Sequence, residues 1–364
     1  MTSMRLRENW DRLNGPDRIA GVDLARGLAI IGMFAAHLLV TADRFSWGDP
    51  ETWTALVDGR SSILFAALAG VSIGLVTGGR SPLPAGRMAI ARWRLALRAA
   101  MLLVLGILLI VTGVPVYVIL PAYAILFLIA LPFTGMPGRT VLWIAAVLAL
   151  VMPFLQPLFE ALPIWQTPYA AEIDAFVGWH YPFTVWIAFV LAGLGIARAG
   201  ITRATVQVRM LVAGSSLAAI GYGLAELPAP AADGYWWSVW SAEPHSSGLL
   251  EVIGSGGFVI AVLAACLLLC RLGVLKAIVL PLRATGAMPL TAYTAQLVIW
   301  AIVAGIALGD TTDLGGFRAL DPFWPLTIGV LIGCTAWALL IGRGPLEWVL
   351  DRTAKRVVSA EPRR

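Results

Sequence analysis

Val259-Ile-Ala-Val-Leu-Ala-Ala-Cys-Leu-Leu-Leu269 carries no charge, and neither do the runs Leu102–Val111 and Val141–Val151. A helix that crosses hydrocarbon needs about 20 mostly apolar residues, because every backbone N–H and C=O must be satisfied inside the segment. Reading outward from these runs in windows of about 19 residues places ten segments. They lie near 22–41, 60–77, 95–112, 115–133, 140–158, 183–199, 208–226, 250–270, 286–308 and 323–342. Only Thr112–Pro115 separates the third from the fourth, so that hairpin is tight. The whole chain is 59% hydrophobic and 13% charged, against about 25% charged for a soluble domain. The expected fold is all-α, a polytopic transmembrane helical bundle of ten or eleven spans. It forms a single integral membrane domain over residues 1–364, with a polar segment at 1–19 and a polar tail at 343–364. The apolar run after Met1–Arg18 exceeds the 7–15 residues of a signal-peptide core, so it reads as a retained first span.

Charge sets the expected orientation. The N-terminus to Arg26, the stretches 78–98, 135–140, 198–209 and 271–283, and the tail from Gly342 hold 23 Lys/Arg and 7 Asp/Glu. The remaining connections hold 3 Arg and 14 acids. Positive segments stay in the cytoplasm, which puts both termini inside and the acidic loops outside a cell membrane. The net charge of +5 is thus spread along membrane flanks, and no nucleic-acid partner is expected. No formal charge falls near a bilayer centre, which argues against a charge-relay pump. Cys266, Cys270 and Cys334 sit in apolar runs without disulfide or metal spacing, so they read as small core residues and no metal is expected. All three histidines fall toward the outer side: His37 past the middle of the first span, His180 before the sixth, and His245 before the eighth.

The first span, Arg18-Ile-Ala-Gly-Val-Asp23-Leu-Ala-Arg26-Gly27-Leu-Ala-Ile-Ile-Gly-Met-Phe-Ala-Ala-His37, carries the most chemistry. Eleven residues separate Arg26 from His37, about 1100° of helical rotation, so both lie within about 20° of one face and roughly 16 Å apart along it. A cation at the inner mouth and an imidazole past mid-membrane line one track. Imidazole is the side chain suited to moving a proton near neutral pH. The same spacing also suits an inner anchor at Arg26 and an interhelical hydrogen bond at His37.

This span, with Asp23-x-x-Arg26-Gly27 in front, resembles the first helix of the transmembrane acyltransferase superfamily. That group includes the bacterial acyltransferase-three enzymes and the heparan-α-glucosaminide N-acetyltransferases. Further matches look like a bacterial branch close to the latter. They are Asp58-Gly-Arg60-Ser-Ser-Ile-Leu-Phe-Ala-Ala-Leu-Ala-Gly70-Val-Ser72, His180-Tyr-Pro182 with Trp186 and Gly193, and Glu243-Pro-His245-Ser246. Gly286-Ala-Met-Pro-Leu-Thr291-Ala-Tyr293 and Arg343-Gly-Pro345-Leu-Glu347-Trp348 follow, so the likeness runs in order through nearly the whole chain.

The resemblance implies a membrane-bound acyltransferase. Its donor is acetyl-CoA or another acyl-CoA from the cytoplasm, and its acceptor is a saccharide or lipid-linked molecule at the outer face. On that reading Arg26, with Arg87, Arg92 and Arg94, meets the phosphates of CoA, since the guanidinium fork suits phosphate. Arg92 and Arg94 equally suit plain anchoring on the positive side. His37 is the expected general base, and Asp58, His180 and His245 are the other catalytic candidates. One departure stands out: the human-type enzymes carry Asn at the place of His37 and a histidine in the loop that follows. Here Leu38–Val57 contains none.

The remaining candidates read two ways. Asp58 and Arg60 open the second span, where they orient His37 and bind the acceptor or simply cap a helix start. Trp240 and Glu243 lie in Tyr235-Trp-Trp-Ser-Val-Trp240-Ser-Ala-Glu243-Pro-His245, whose aromatic faces suit a sugar or an ordinary membrane interface. Asp23 joins Arg60, Trp240 and Glu243 as an acceptor-binding candidate. Tyr293 and Gln296 in the ninth span line a donor channel or serve as interhelical glue. Membrane lipids are partners, and a homodimer is an assembly open to the chain. The rival function is a transporter or flippase for a small solute or lipid-linked molecule, with Pro121, Pro153 and Pro289 breaking helices around a site. Binding or hydrolysis of acyl-CoA separates the two.

Overall fold

The computed structural model describes residues 2–16, 18–43, 45–46, 48–227 and 234–359. In chain order its helices are α1 (Thr2–Asn14), α2 (Ala20–Leu38), α3 (Arg60–Val76), α4 (Ala85–Ile110), α5 (Leu120–Ala130) and α6 (Gly138–Glu160). They continue with α7 (Ala170–Val177), α8 (Phe183–Ala199), α9 (Ala204–Ala225), α10 (Gly234–Trp240), α11 (Leu249–Leu269) and α12 (Gly273–Ile278). The last are α13 (Leu280–Ala287), α14 (Pro289–Ala307), α15 (Leu314–Ala319), α16 (Phe323–Leu340) and α17 (Pro345–Val357). There is no strand among the described residues. The all-α membrane bundle read from hydropathy is what forms.

Each of the ten apolar windows holds a helix. Among the described residues eight helical segments have the length and composition to cross a membrane, while the helical stretches Leu120–Gly135 and Phe183–Ala199 are shorter. Two windows differ from their helices in detail. The window at 115–133 begins as helix only at Leu120, one residue before Pro121. The window at 286–308 is two helices, broken at Met288 with φ −136° and ψ 56° ahead of Pro289. Proline has no N–H to continue the ladder, and it restrains the residue before it to extended backbone.

The chain divides into two compact units. The first comprises residues 1–65, 108–116 and 265–352, and the second 66–107, 117–264 and 353–364. In the first, α2 lies against α13 at glycine. A Cβ on Gly27 would meet the carbonyl oxygen of Leu282, and one on Gly286 would meet that of Asp23. Small residues let membrane helices approach this closely. Helix α1 docks through Asn9 Nδ2 to the Leu339 carbonyl (2.9 Å) and Arg12 to the Ala338 carbonyl (3.0 Å). Arg283 is buried and closes the end of α1, donating to the Leu13 carbonyl (2.7 Å) and to Asn14 Oδ1 (3.1 Å).

In the second unit α3 and α8 interlock the same way, Gly70 against the Val190 carbonyl and Gly193 against that of Ala67. At the end of α8, Arg198 donates to the carbonyls of Gly74 (3.0 Å), Gly79 (2.5 Å), Thr77 (3.2 Å) and Thr134 (2.7 Å). Gly74, Thr77 and Gly79 lie in and just after the last turn of α3, where a helix runs out of its own donors, and Thr134 lies in the turn after α5. One buried cation with five N–H groups ties these carbonyls together. The apolar faces of α6 and α9 point outward, with Trp143, Val147, Val212 and Ile220 each more than half exposed. In a bilayer those faces meet lipid.

Candidate functional site

In the first unit Arg26 and His37 lie on the one helix α2, and the two ends of that helix are held differently. At the N-terminal end Asp23 is 2% exposed. It accepts from Arg18 through Nε (2.5 Å) and Nη2 (3.0 Å), and from Arg26 Nη1 at 3.3 Å. Asp23 therefore acts as the counter-ion of two arginines. The Glu347 carboxylate adds a second negative charge near Arg26. It also caps α14, accepting from the N–H groups of Leu290 (2.8 Å) and Thr291 (3.1 Å) and from Thr291 Oγ1 (2.6 Å). A carboxylate at a helix N-terminus satisfies donors that the helix leaves open, and here it compensates for the break at Pro289.

At the C-terminal end, His37 Nδ1 lies 3.2 Å from Gln296 Nε2. The His37 carbonyl, in the last turn of α2, accepts from Arg318 Nη2 (3.0 Å) and Nε (3.3 Å). Gln296 is fully buried and His37 half-buried. Tyr293, one turn earlier on α14, is 2% exposed. Gln296 thus sits on the imidazole itself, where the sequence offered either a donor-channel lining or interhelical glue. Arg318 was not singled out, although one signal marked it: it is one of three arginines among the acidic connections. Asp58 and Arg60 stand at the start of α3, with the Arg60 guanidinium on the Ala55 carbonyl (2.5 Å) and the Asp58 carbonyl accepting from Arg60 N (2.6 Å).

The second unit brings His180 and His245 together. Their ring centroids are 4.4 Å apart, although 65 positions separate them in the chain. His180 stacks flat on Tyr117 at 3.8 Å and meets Tyr181 edge-on at 4.9 Å. His245 lies parallel to Trp186 at 6.4 Å. His245 and Ser247 adopt left-handed backbone, φ 63° and 55°, which costs of order 1–3 kcal/mol per residue. Glu251, 3% exposed near the start of α11, holds that turn. Its carboxylate accepts from His245 N (2.7 Å), Ser247 N (2.6 Å) and Ser246 Oγ (3.3 Å). The sequence reading passed over Glu251 because one acid at the edge of an apolar window reads as a helix-start charge.

Both imidazoles open onto a cleft of about 440 Å³ lined also by Glu160, Asp174, Trp165 and Trp179. The two tryptophans stack at 5.0 Å. Gly178, at φ 69°, ends α7 against the backbone of Ala122, a position where a side chain has no room and would be held in the left-handed region that favours glycine. Burial pushes the Asp174 carboxyl above its ordinary value, partly offset by the backbone N–H of His180, which donates to it. Among the described residues no group of three or more His, Cys, Asp or Glu could hold a metal ion.

The other candidates of this unit lie apart from the cleft lining. On α4, Arg92 Nε donates to Thr134 Oγ1 (2.9 Å) and Arg94 Nε to the Val358 carbonyl (3.1 Å). Trp240 meets Phe154 edge-on at 6.4 Å, and Glu243 is exposed.

Residues 18–223 match the sequence profile of the heparan-alpha-glucosaminide N-acetyltransferase catalytic family. Residues 196–356 match a second profile, a family of unknown function (DUF418). A search of curated proteins returns no match. The first match spans more than half of the 364 residues and contains the α2 track, the α3–α8 interlock and His180. With its apolar helical bundle, this multi-pass membrane protein therefore belongs to the heparan-α-glucosaminide N-acetyltransferase family of membrane acetyltransferases.

Proposed function

We propose that the protein transfers an acyl group, acetyl in the first instance, from cytoplasmic acyl-CoA to a hydroxyl or amine of a saccharide or lipid-linked acceptor at the outer face of a cell membrane. The observation that carries this reading is the His37–Gln296 contact at 3.2 Å. A buried amide fixes the ring plane of a histidine that lies on the Arg26 face of α2, at the far end from the arginines. An imidazole so oriented by its Nδ1 presents Nε2 for proton transfer. The family match supports acetyl-CoA as donor.

In the transfer, His37 takes the proton of the acceptor as that atom attacks the thioester carbon. The C–S bond then breaks and the CoA thiolate takes the proton back. Arg26 is the candidate for a CoA phosphate in the first unit, and Arg92 and Arg94 are candidates in the second. Arg26 already shares Asp23 with Arg18, so its role toward phosphate requires that Arg18 keep the carboxylate neutralised. The His180–His245 cleft, with its two stacked tryptophans and two carboxylates, suits the ring and hydroxyls of a saccharide.

The experiment is acetyl transfer by the full chain in vesicles, from acetyl-CoA to glucosamine and N-acetylglucosamine, comparing wild type with His37→Ala and His37→Gln. Loss of a general base lowers turnover by about 10²–10⁴, and both variants are expected to fall by that factor while still binding donor. If His37→Gln keeps near wild-type turnover and His245→Ala abolishes it, the base lies in the second-unit cleft instead.

A further inference from the structure

Two buried polar atoms on α14, the helix that reaches His37, make no hydrogen bond within the protein. They are the outward atom of the Gln296 amide, Oε1, and the indole Nε1 of Trp300. Both residues are 0% exposed. They stand four apart on α14, one turn from each other on a single face. A helical side chain leans back over the turn before it, which carries the Trp300 indole toward Gln296. The indole is held flat against Phe317, with centroids 4.6 Å apart and planes 9° apart. Phe317 immediately precedes Arg318, whose guanidinium holds the His37 carbonyl. His37, Gln296 and Trp300 are therefore one cluster. Buried indole N–H groups nearly always have a partner, and phenylalanine would fill a purely apolar position without that cost.

The tautomer of His37 decides what this cluster presents. If the Gln296 NH₂ donates to Nδ1, the proton of the neutral ring sits on Nε2, and that nitrogen cannot act as a base. For His37 to accept a proton at Nε2, Nδ1 must carry the ring proton and donate it to the amide oxygen. Amide oxygen and nitrogen exchange places by a half-turn of the side-chain amide. In the base-competent state the Gln296 NH₂ therefore takes the place of the unpartnered Oε1, away from the imidazole. Gln296 and Trp300 then supply two N–H donors one turn apart on the same face of α14.

We propose that Gln296 and Trp300 form the oxyanion site of the transfer reaction, so that one amide both sets the tautomer of the base and stabilises the charge the base helps to create. This rests on the acyl-transfer reading with His37 as base. The acceptor oxygen or nitrogen bonds to the thioester carbon and gives its proton to His37 Nε2. The π pair of the carbonyl moves onto its oxygen, which accepts from Gln296 NH₂ and Trp300 N–H. Collapse re-forms the carbonyl and breaks the C–S bond, and the departing thiolate takes the proton from His37. A ground-state carbonyl gains less from these donors than the developing oxyanion does, so their effect falls on turnover rather than on donor binding.

Trp300→Phe keeps the ring on Phe317 and removes only the N–H. Gln296→Glu keeps an acceptor for Nδ1–H and replaces the second donor with a carboxylate oxygen. Both are assayed in vesicles with acetyl-CoA as donor and with glucosamine, N-acetylglucosamine and water as acceptors, alongside donor affinity and melting temperature. We expect kcat to fall about 10²–10³-fold in each variant, with KM for acetyl-CoA within about threefold of wild type. A Trp300→Phe protein that turns over within threefold of an active wild type overturns the assignment and leaves the acyltransferase reading intact. Parallel loss of turnover and donor affinity in both variants assigns them to packing, which also overturns it. A wild-type protein that transfers acetyl to none of these acceptors removes the acyltransferase reading and this assignment together.

Discussion

The Glu251 carboxylate accepts the backbone N–H of His245 at 2.7 Å and, with its second oxygen, that of Ser247 at 2.6 Å. A single buried acid thereby holds two left-handed residues and turns the His245 ring onto His180. The loop's other hydrogen bonds, Ser246 N to the Glu243 carbonyl (3.2 Å) and Gly248 N to Ser246 Oγ (3.2 Å) among them, leave the N–H groups of His245 and Ser247 to this carboxylate.

Glu251→Ala removes two charge-assisted hydrogen bonds, each worth about 1.5–3 kcal/mol, and leaves two N–H groups without an acceptor. The variant is expected to melt lower and to raise the acceptor KM at least tenfold, while acetyl-CoA affinity stays as in wild type. Glu251→Gln should recover part of the effect, because its carbonyl oxygen serves one N–H while its NH₂ opposes the other. Acceptor titrations at saturating acetyl-CoA measure this. An unchanged acceptor KM in Glu251→Ala would detach the loop from acceptor binding.

Asp174 makes the cleft sensitive to pH in a definite direction. Burial raises its folded-state pKa above the ordinary 3.8, and the His180 N–H pulls it partway back. A raised carboxyl pKa means that the folded protein holds this proton more tightly than the unfolded chain. Its stabilising contribution is complete below pH 3.8 and disappears as pH rises through the folded-state value. Asp174→Asn mimics the protonated form and keeps an oxygen for His180 N–H. It is expected to melt at or up to about 2 °C above wild type at pH 7, with the difference closing toward pH 4. Melting curves across that range decide it, and a lower melting point than wild type at pH 7 would contradict the account.

Orientation follows from the charge asymmetry, with 23 basic residues assigned inside and 3 outside. In a background lacking Cys266, Cys270 and Cys334, cysteine is placed at Ile90 or at Trp240. A membrane-impermeant maleimide on intact cells should label position 240 and spare position 90. The reverse pattern would invert the topology and remove the cytoplasmic donor from the mechanism.

The helical class of this protein was already determined by its sequence. Runs such as Val259–Leu269 cannot leave a backbone group unpaired in hydrocarbon, so their composition alone demands helices. The Arg26–His37 alignment was equally legible, because eleven residues on one helix obey a fixed rotation. What sequence could not determine is which partner each end of that track takes. Gln296 reaches His37 across 259 positions and Arg318 across 281. His180 and His245 meet only because Gly178 turns the chain at the end of α7 and Glu251 closes the loop before α11. Local rules govern neighbours along a helix, where geometry depends on the backbone alone. Contacts between distant segments depend on how closely helices pack, and that was decided at positions such as Gly27 and Gly286, where the absence of a side chain lets two backbones meet.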